Sequence, residues 1–489
     1  MSFLRFNRSA WRTLLIVSAL PRILGAFFLP NAFGDAYVYI HDIGSLSTKI
    51  STGSFRLSDL FGFWLPLYQL IAAALNLIVR NGFYSGKIVS ALFGAGSCLF
   101  VYFITFELTK SLKASWLIFL LLALNPLHIF YSASAMTDVP HAFFVLGALY
   151  FVLKQKWIAA AIFAALAGLT RVESWMFIAL IPLLQFLRER RISSLPVLIM
   201  LISPLFWFYI SWKTTGNWFA CFQQRQQYLD WLLKMNPAIA SFSAINIIRD
   251  GATLLVSTDI AVMAACITAA CFVARERWKR LSQEPAVQTQ LILAPLVLFF
   301  AFFGLLLVAY LSHQQPIIFP RYGLILFTIG LPVLAWTFLK VTEKHPAWAR
   351  RVLVCIVVIC SLDASIELAG AVGTVNQYRA QRRVADYLHD HFDQKSNARI
   401  FCDEGTVQAL SGIPSERFLT SAAAPKTQAE FFNFVSEKEI TYLVFIKRSD
   451  SIPAQLFPDL ESKETEGFDL VMYSYSDFLP TDIWLYQVR

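Results

Sequence analysis

The sequence predicts an α-helical polytopic membrane protein that ends in a small α/β domain. Three observations carry this. Of 489 residues, 57% are hydrophobic and only 15% charged, and the mean hydropathy is +0.56, a composition of lipid-embedded rather than soluble chains. Apolar segments of about 15–22 residues recur, close to the ~20 needed to cross a bilayer. The charge then reverses along the chain. Residues 1–374 hold 29 Lys and Arg against 15 Asp and Glu, net +14, while residues 375–489 hold 12 against 17, net −5.

The apolar segments are 10–28, 64–79, 87–108, 115–131, 139–153, 157–170, 174–187, 195–212, 251–274, 289–311, 322–339 and 352–369. Basic residues in short turns mark the cytoplasmic side. Arg5, Arg8 and Arg12 place the N-terminus inside. Lys110 and Lys113, Lys154 and Lys156, Arg188 to Arg191, Arg275 to Arg280, and Lys340 to Arg351 belong on the same side. Counting all twelve segments as spans puts Lys110 and Lys113 outside. Treating 64–79, which begins Phe63-Trp-Leu-Pro, as an interfacial helix repairs every later loop. About 11 transmembrane helices remain, in a membrane domain over residues 1–370. Its external loop 29–86 carries juxtamembrane helices.

The tail, 371–489, is then extracytoplasmic. It reads as an amphipathic helix at 379–392, strands at 398–402, 441–446, 470–475 and 483–488, and a helix at 429–438, a small α/β domain with its own core.

Composition also excludes functions. The basic residues lie scattered in turns, which suits membrane lipids and an anionic lipid substrate, and no basic-aromatic groove points to nucleic acid. Cys98, Cys266, Cys271, Cys355 and Cys360 fall in apolar segments as packing residues. Cys221 and Cys402 fall outside them, where a bridge is conceivable. No Cys/His spacing suits a metal, and no glycine-rich phosphate loop or His-Glu-x-x-His is present. An external enzyme without a nucleotide site needs an activated donor that arrives on a lipid.

Two carboxylates stand at the ends of apolar segments, where a charge is costly and marks function. Asp35 follows Pro30-Asn-Ala-Phe-Gly and precedes Ala-Tyr37-Val-Tyr. Asp138 follows Asn125-Pro through Met-Thr and precedes Val-Pro140. The charge count places both on one side, although neither was used to set the topology. A carboxylate beside aromatic faces suits hydroxyl recognition and proton abstraction. Each also fits a helix N-cap. His41 and Asp42 read as solvated loop residues, and His141 as a structural or site histidine. Arg171 and Glu173 interrupt two short segments. Residues two apart do not face each other on a helix, so each is expected to reach a different partner, Arg171 a phosphate. Arg321 and Tyr322 offer a planar fork and a hydroxyl for phosphate, or ordinary interfacial anchoring. Arg22, deep in the first segment, needs an anion partner.

These stretches resemble the C-type-fold (GT-C) integral membrane glycosyltransferases, nearest to relatives of the protein O-mannosyltransferases and lipid A aminoarabinose transferases. Asp35-Ala-Tyr is similar to that family's first-loop acidic motif. Pro66-Leu-Tyr68 with Lys87 to Gly94, Asn125-Pro126 through Asp138, and Arg321-Tyr322 resemble its later landmarks. The resemblance covers about residues 10–340. It implies inverting transfer of a sugar from a polyprenyl-phosphate donor to an extracytoplasmic acceptor, with no cofactor and little or no need of metal. Asp35 is then the general base, Asp138 holds the acceptor or the base, and Arg321 with Arg171 neutralises the leaving phosphate. Two departures stand out. Ala36 follows Asp35 where many relatives have a second acid, and Leu65 precedes Pro66 where some carry a Lys. A transporter or flippase of polyprenyl-linked sugars is the competing reading, and an inactive scaffold of the same fold a third.

Overall fold

The computed structural model describes residues 8–32, 34–235, 243–279, 287–315, 318–344, 347, 349–375, 378–393, 396–447, 451–461, 467–475 and 482–489. Arg5 and Arg280 of the expected inward clusters, and Pro316 and Ile317 before Arg321, lie outside these residues. The chain divides into two compact units. One comprises the residues up to Leu29 with Phe55–Ile71 and Lys87–Ala369. The other comprises Pro30–Ser54, Ala72–Gly86 and Gly370–Arg489.

The helices in order are α1 (Arg8–Phe28), α2 (Asp35–Ser51), α3 (Leu67–Val79), α4 (Gly82–Thr109), α5 (Leu112–Ala123), α6 (Pro126–Ser132), α7 (Asp138–Leu153), α8 (Trp157–Gly168), α9 (Phe177–Glu189) and α10 (Ser194–Thr215). Then follow α11 (Ala220–Met235), α12 (Ala244–Thr258), α13 (Ile260–Lys279), α14 (Val287–Leu311), α15 (Pro320–Lys344) and α16 (Ala349–Val375). Among the described residues five of these are long and apolar enough to cross a membrane: α1, α4, α10, α14 and α15. Two bent pairs raise the number to seven. The expected count of eleven is not shown. At 13 residues, α3 is too short to span about 30 Å at 1.5 Å per residue.

The two bends have local causes that an apolar window conceals. Between α5 and α6 the axis turns by 60°. Asn125 caps α6 by accepting from the His128 N–H, and Pro126 takes the first helical position. Between α12 and α13 it turns by 83°. There Asp259 leaves the helical region at φ +72 and accepts from the Ala261 and Val262 N–H groups, while Asp363 accepts from Ile260 N–H. The expected spans 115–131 and 251–274 are therefore each two helices.

Small residues draw the helices of this unit together, as lipid-embedded packing requires. Ala160, Ala161, Ala164 and Ala167 are buried along α8, which packs on α7 and α10. Helix α15 packs on α7, α12, α13 and α14. At Gly323 a Cβ would stand 2.1 Å from Ser257 Oγ, so a larger residue would push α15 off α12.

The second unit contains a five-stranded sheet of order β2-β1-β3-β5-β4. Its strands are β1 (Arg399–Cys402), β2 (Phe418–Leu419), β3 (Ile440–Ile446), β4 (Phe468–Ser474) and β5 (Ile483–Val488). Strand β1 runs parallel to β2 and β3, and β5 runs antiparallel to β3 and β4. The period of two sorts the side chains. Ile400, Cys402, Tyr442, Val444 and Leu485 pack on α17 (Arg379–His391) with Val384 and Leu388. Phe401, Leu443, Phe445, Trp484 and Tyr486 face the other way, joining Phe431 and Val435 of α19 (Gln428–Glu437). The helix α18 (Gly405–Leu410), which the sequence did not suggest, links β1 towards β2.

The cysteines are all free, so Cys221 and Cys402 form no bridge. Cys221 is buried beside Leu65 and Trp207. Cys98, Cys266 and Cys360 are buried packing residues as expected. Cys271 and Cys355 are exposed on helix surfaces instead.

Candidate active site

Asp138 opens α7. The preceding cap residue is Thr137, and no side chain caps the helix, so Asp138 is not the N-cap that its sequence context also allowed. Its Oδ1 accepts from Arg171 Nη1 at 2.8 Å, and its buried Oδ2 has no hydrogen-bond partner. The other Arg171 nitrogen, Nη2, donates to Glu173 Oε1 at 2.9 Å. Here the expectation that Arg171 and Glu173 do not pair is corrected. Residues 172–176 form a 3-10 helix, and Arg171 before it is extended at φ −148, ψ 139, so the α-helical spacing rule does not apply. The α8–α9 link brings both acids onto one guanidinium.

The electrostatics follow. Burial works against charge on Arg171, but Glu173 and Asp138 more than offset it, and the guanidinium is held firmly protonated. Burial likewise opposes ionisation of Glu173. The Arg171 charge and hydrogen bond, then His141 and Arg225, outweigh it and bring the carboxyl down to about 2. Two carboxylates share one cation, and one oxygen of Asp138 remains to accept from a hydroxyl or another donor.

His141 sits one turn into α7. Its Nε2 is 2.7 Å from Ser174 Oγ, and its ring meets Phe302 edge-on at 5.9 Å. Arg171 lies over the Tyr322 ring at 5.8 Å. Arg321 lies over both Phe319 and Tyr322 at 5.4 Å, in the first turn of α15. Asp138, His141, Arg171, Glu173 and Tyr322 are thus brought together, with Arg321 beside Tyr322. Among the described residues no group of three or more His, Cys, Asp or Glu side chains is placed to hold a metal ion.

Arg22 joins a different group. It is fully buried. Nη1 donates to the Ser18 and Ala123 carbonyls, and Nη2 donates to the Leu122 carbonyl and lies 2.7 Å from His128 Nδ1. The Leu122 and Ala123 carbonyls end α5 at the bend, so Arg22 supplies donors that the broken helix lacks.

In the second unit, Asp35 is the first residue of α2. Gly34 is its cap position, and no side chain caps the helix there either. Tyr37 is buried and meets Tyr378 edge-on at 5.6 Å. Burial pushes the Tyr37 phenol up, and Arg382 and Asn31, which hydrogen-bond to it, work the other way. Burial and then the charge of Asp35 push the Tyr378 phenol up, and Tyr378 is hydrogen-bonded to the backbone of Gly34. His41 and Asp42 are corrected from solvated loop residues to partly buried positions within α2. Burial raises the Asp42 carboxyl to about 7.

Sequence reasoning missed Tyr378, Arg382 and Ser174, and named Lys87 only as the start of a motif. The Lys87 ammonium is buried in α4 and donates to the Leu29 carbonyl. A lysine inside an apolar helix was itself a signal. Tyr378 and Arg382 carried none, because their partners lie at the opposite end of the chain.

The fold is that of the C-type membrane glycosyltransferases. The family model for dolichyl-phosphate-mannose-protein mannosyltransferase matches residues 77–183. The chain is similar to ArnT from Cupriavidus metallidurans, crystallised with undecaprenyl phosphate. The two share 12% identity and a TM-score of 0.60, over 98% of each chain. It is also similar to the Archaeoglobus fulgidus oligosaccharyltransferase, crystallised with Zn and sulfate. There the identity is 12% and the TM-score 0.50, over 96% of this chain and 72% of that one. No curated protein sequence matches the chain.

Proposed function

We propose that the chain is an integral membrane glycosyltransferase that moves a sugar from a polyprenyl-phosphate donor to an extracytoplasmic protein, lipid or glycan. The observation that carries this reading is Asp138, a buried carboxylate at a helix start, gripped on one oxygen by Arg171 and without a hydrogen-bond partner on the other. Its setting in the C-type fold, and the undecaprenyl phosphate named for the similar ArnT, support the donor class.

In this reading Asp35, the first residue of α2, takes the proton from the acceptor hydroxyl. The hydroxyl oxygen attacks the anomeric carbon on the face opposite the phosphate. The carbon–oxygen bond to phosphate breaks, configuration inverts, and the polyprenyl phosphate departs with the electron pair. Arg321, over Phe319 and Tyr322, neutralises that growing negative charge. Asp138 holds the acceptor through its second oxygen, with Arg171 and Glu173 fixing its orientation. The distribution of basic turns supports placing both acids and the tail outside the cytoplasm.

The test is direct. Purified protein is given a panel of polyprenyl-phosphate sugars with a membrane extract as acceptor, and released polyprenyl phosphate is measured. Acceptor-dependent release from one member of the panel is expected. Movement of intact donor across vesicles without release would replace transfer by transport.

A further inference from the structure

We propose that Tyr378, supported by Arg382, is a positioning residue for Asp35, and that the C-terminal α/β domain serves to aim the carboxylate that opens α2. This rests on the reading of Asp35 as the general base.

The first turn of α2 is held by residues of the tail. Residues Pro30–Ser54 and Gly370–Arg489 belong to one compact unit. The Tyr378 hydroxyl is hydrogen-bonded to the Gly34 backbone, immediately before Asp35. Its ring meets Tyr37 edge-on at 5.6 Å, and Arg382 on α17 hydrogen-bonds to the Tyr37 hydroxyl. One residue further, Val38 Cγ2 lies 3.8 Å from where a Cβ on Gly405 would stand, at the first residue of α18, and α2 packs along α18. Residues on both sides of Asp35 are therefore fixed by tail side chains.

Gly34 fits the same account. Its φ of −58 is open to any residue, so backbone freedom does not require glycine here. Space does: a Cβ would stand 2.3 Å from the Tyr378 hydroxyl oxygen and 2.9 Å from its Cζ. The tyrosine lies directly on the backbone that carries the acid.

The physical need is clear. The first turn of a helix lacks internal partners for its N–H groups, and Gly34, the cap residue of α2, has no side chain to offer them. Such a turn frays unless something outside the helix holds it. A general base misplaced by about 1 Å loses about 100-fold in rate. The tail supplies that hold through a hydroxyl, a ring edge and a guanidinium.

The test uses the full-length protein and the polyprenyl-phosphate sugar that the wild type accepts. Tyr378→Phe keeps the ring and adds no atom, so it is expected to fold. Its kcat should fall by about 10-fold or more while the donor KM stays within about twofold. Gly34→Ala should show the same split. The double variant should be no slower than the slower single one, because both changes disturb one contact. An unchanged kcat in Tyr378→Phe, beside an inactive Asp35→Asn, would overturn the positioning role and leave the base intact. A raised donor KM at unchanged kcat would overturn it equally. Activity in Asp35→Asn would instead remove the base, and the proposal with it.

Discussion

Arg171 donates one guanidinium nitrogen to Asp138 at 2.8 Å and thereby fixes the first residue of α7. The same guanidinium grips Glu173 at 2.9 Å through its other nitrogen. Asp138 is buried, and its second oxygen has no hydrogen-bond partner. An acid in that setting is held in one orientation, with charge to offer on one side only.

Removing the arginine should expose the cost of this arrangement. Arg171→Ala leaves two acids facing each other without a cation and should destabilise the protein by about 3 kcal/mol. Arg171→Lys keeps the charge but loses the planar fork, so it should fold and transfer poorly. Thermal unfolding in detergent alongside a transfer assay separates the two. An Arg171→Lys protein with full activity would show that charge alone suffices.

Arg22 predicts the opposite pattern. Its donors serve the carbonyls at the end of α5, so Arg22→Met should cost at least about 2 kcal/mol and leave the donor KM of the folded fraction unchanged. A rise in donor KM at wild-type stability would assign Arg22 to phosphate instead.

Much of this was legible in the sequence, and the rest failed for identifiable reasons. Four of the five tail strands were visible as short apolar runs in a charged segment, with the helices at 379–392 and 429–438 beside them, whereas β2, only two residues long, left no such run. Asp138 was visible because charge near hydrocarbon is rare. The breaks after Ala123 and Thr258 were hidden by apolar windows, although Asn125-Pro126 and Asp259 are cap signals. The Arg171–Glu173 pair was misjudged because helical spacing was assumed for an extended residue. The hold of Tyr378 on Gly34 joins the two ends of the chain, and local pattern carries no trace of it.

Asp42 should make stability depend on pH. Burial raises its folded carboxyl from 3.8 to about 7. The unfolded chain ionises first, so this group favours folding at low pH and that contribution is lost as pH rises from about 4 to about 7. Asp42→Asn should therefore melt above the wild type near pH 8, and with it near pH 4. Equal melting at both would show that the carboxyl is solvated.

Sidedness is open to chemical labelling. Glu437→Cys lies at an exposed position near the end of α19, and is placed in a background without the exposed Cys271 and Cys355. A membrane-impermeant thiol reagent should label it in intact cells. Labelling only after permeabilisation would put the tail in the cytoplasm.

The central claim is that Asp35 drives sugar transfer outside the cytoplasm. Mass spectrometry of membranes and surface glycans should compare cells with wild-type protein, with none, and with Asp35→Asn. A glycan mass lost equally in the last two, with polyprenyl-phosphate sugar accumulating, is the predicted result. Normal glycan in cells that carry Asp35→Asn would contradict it.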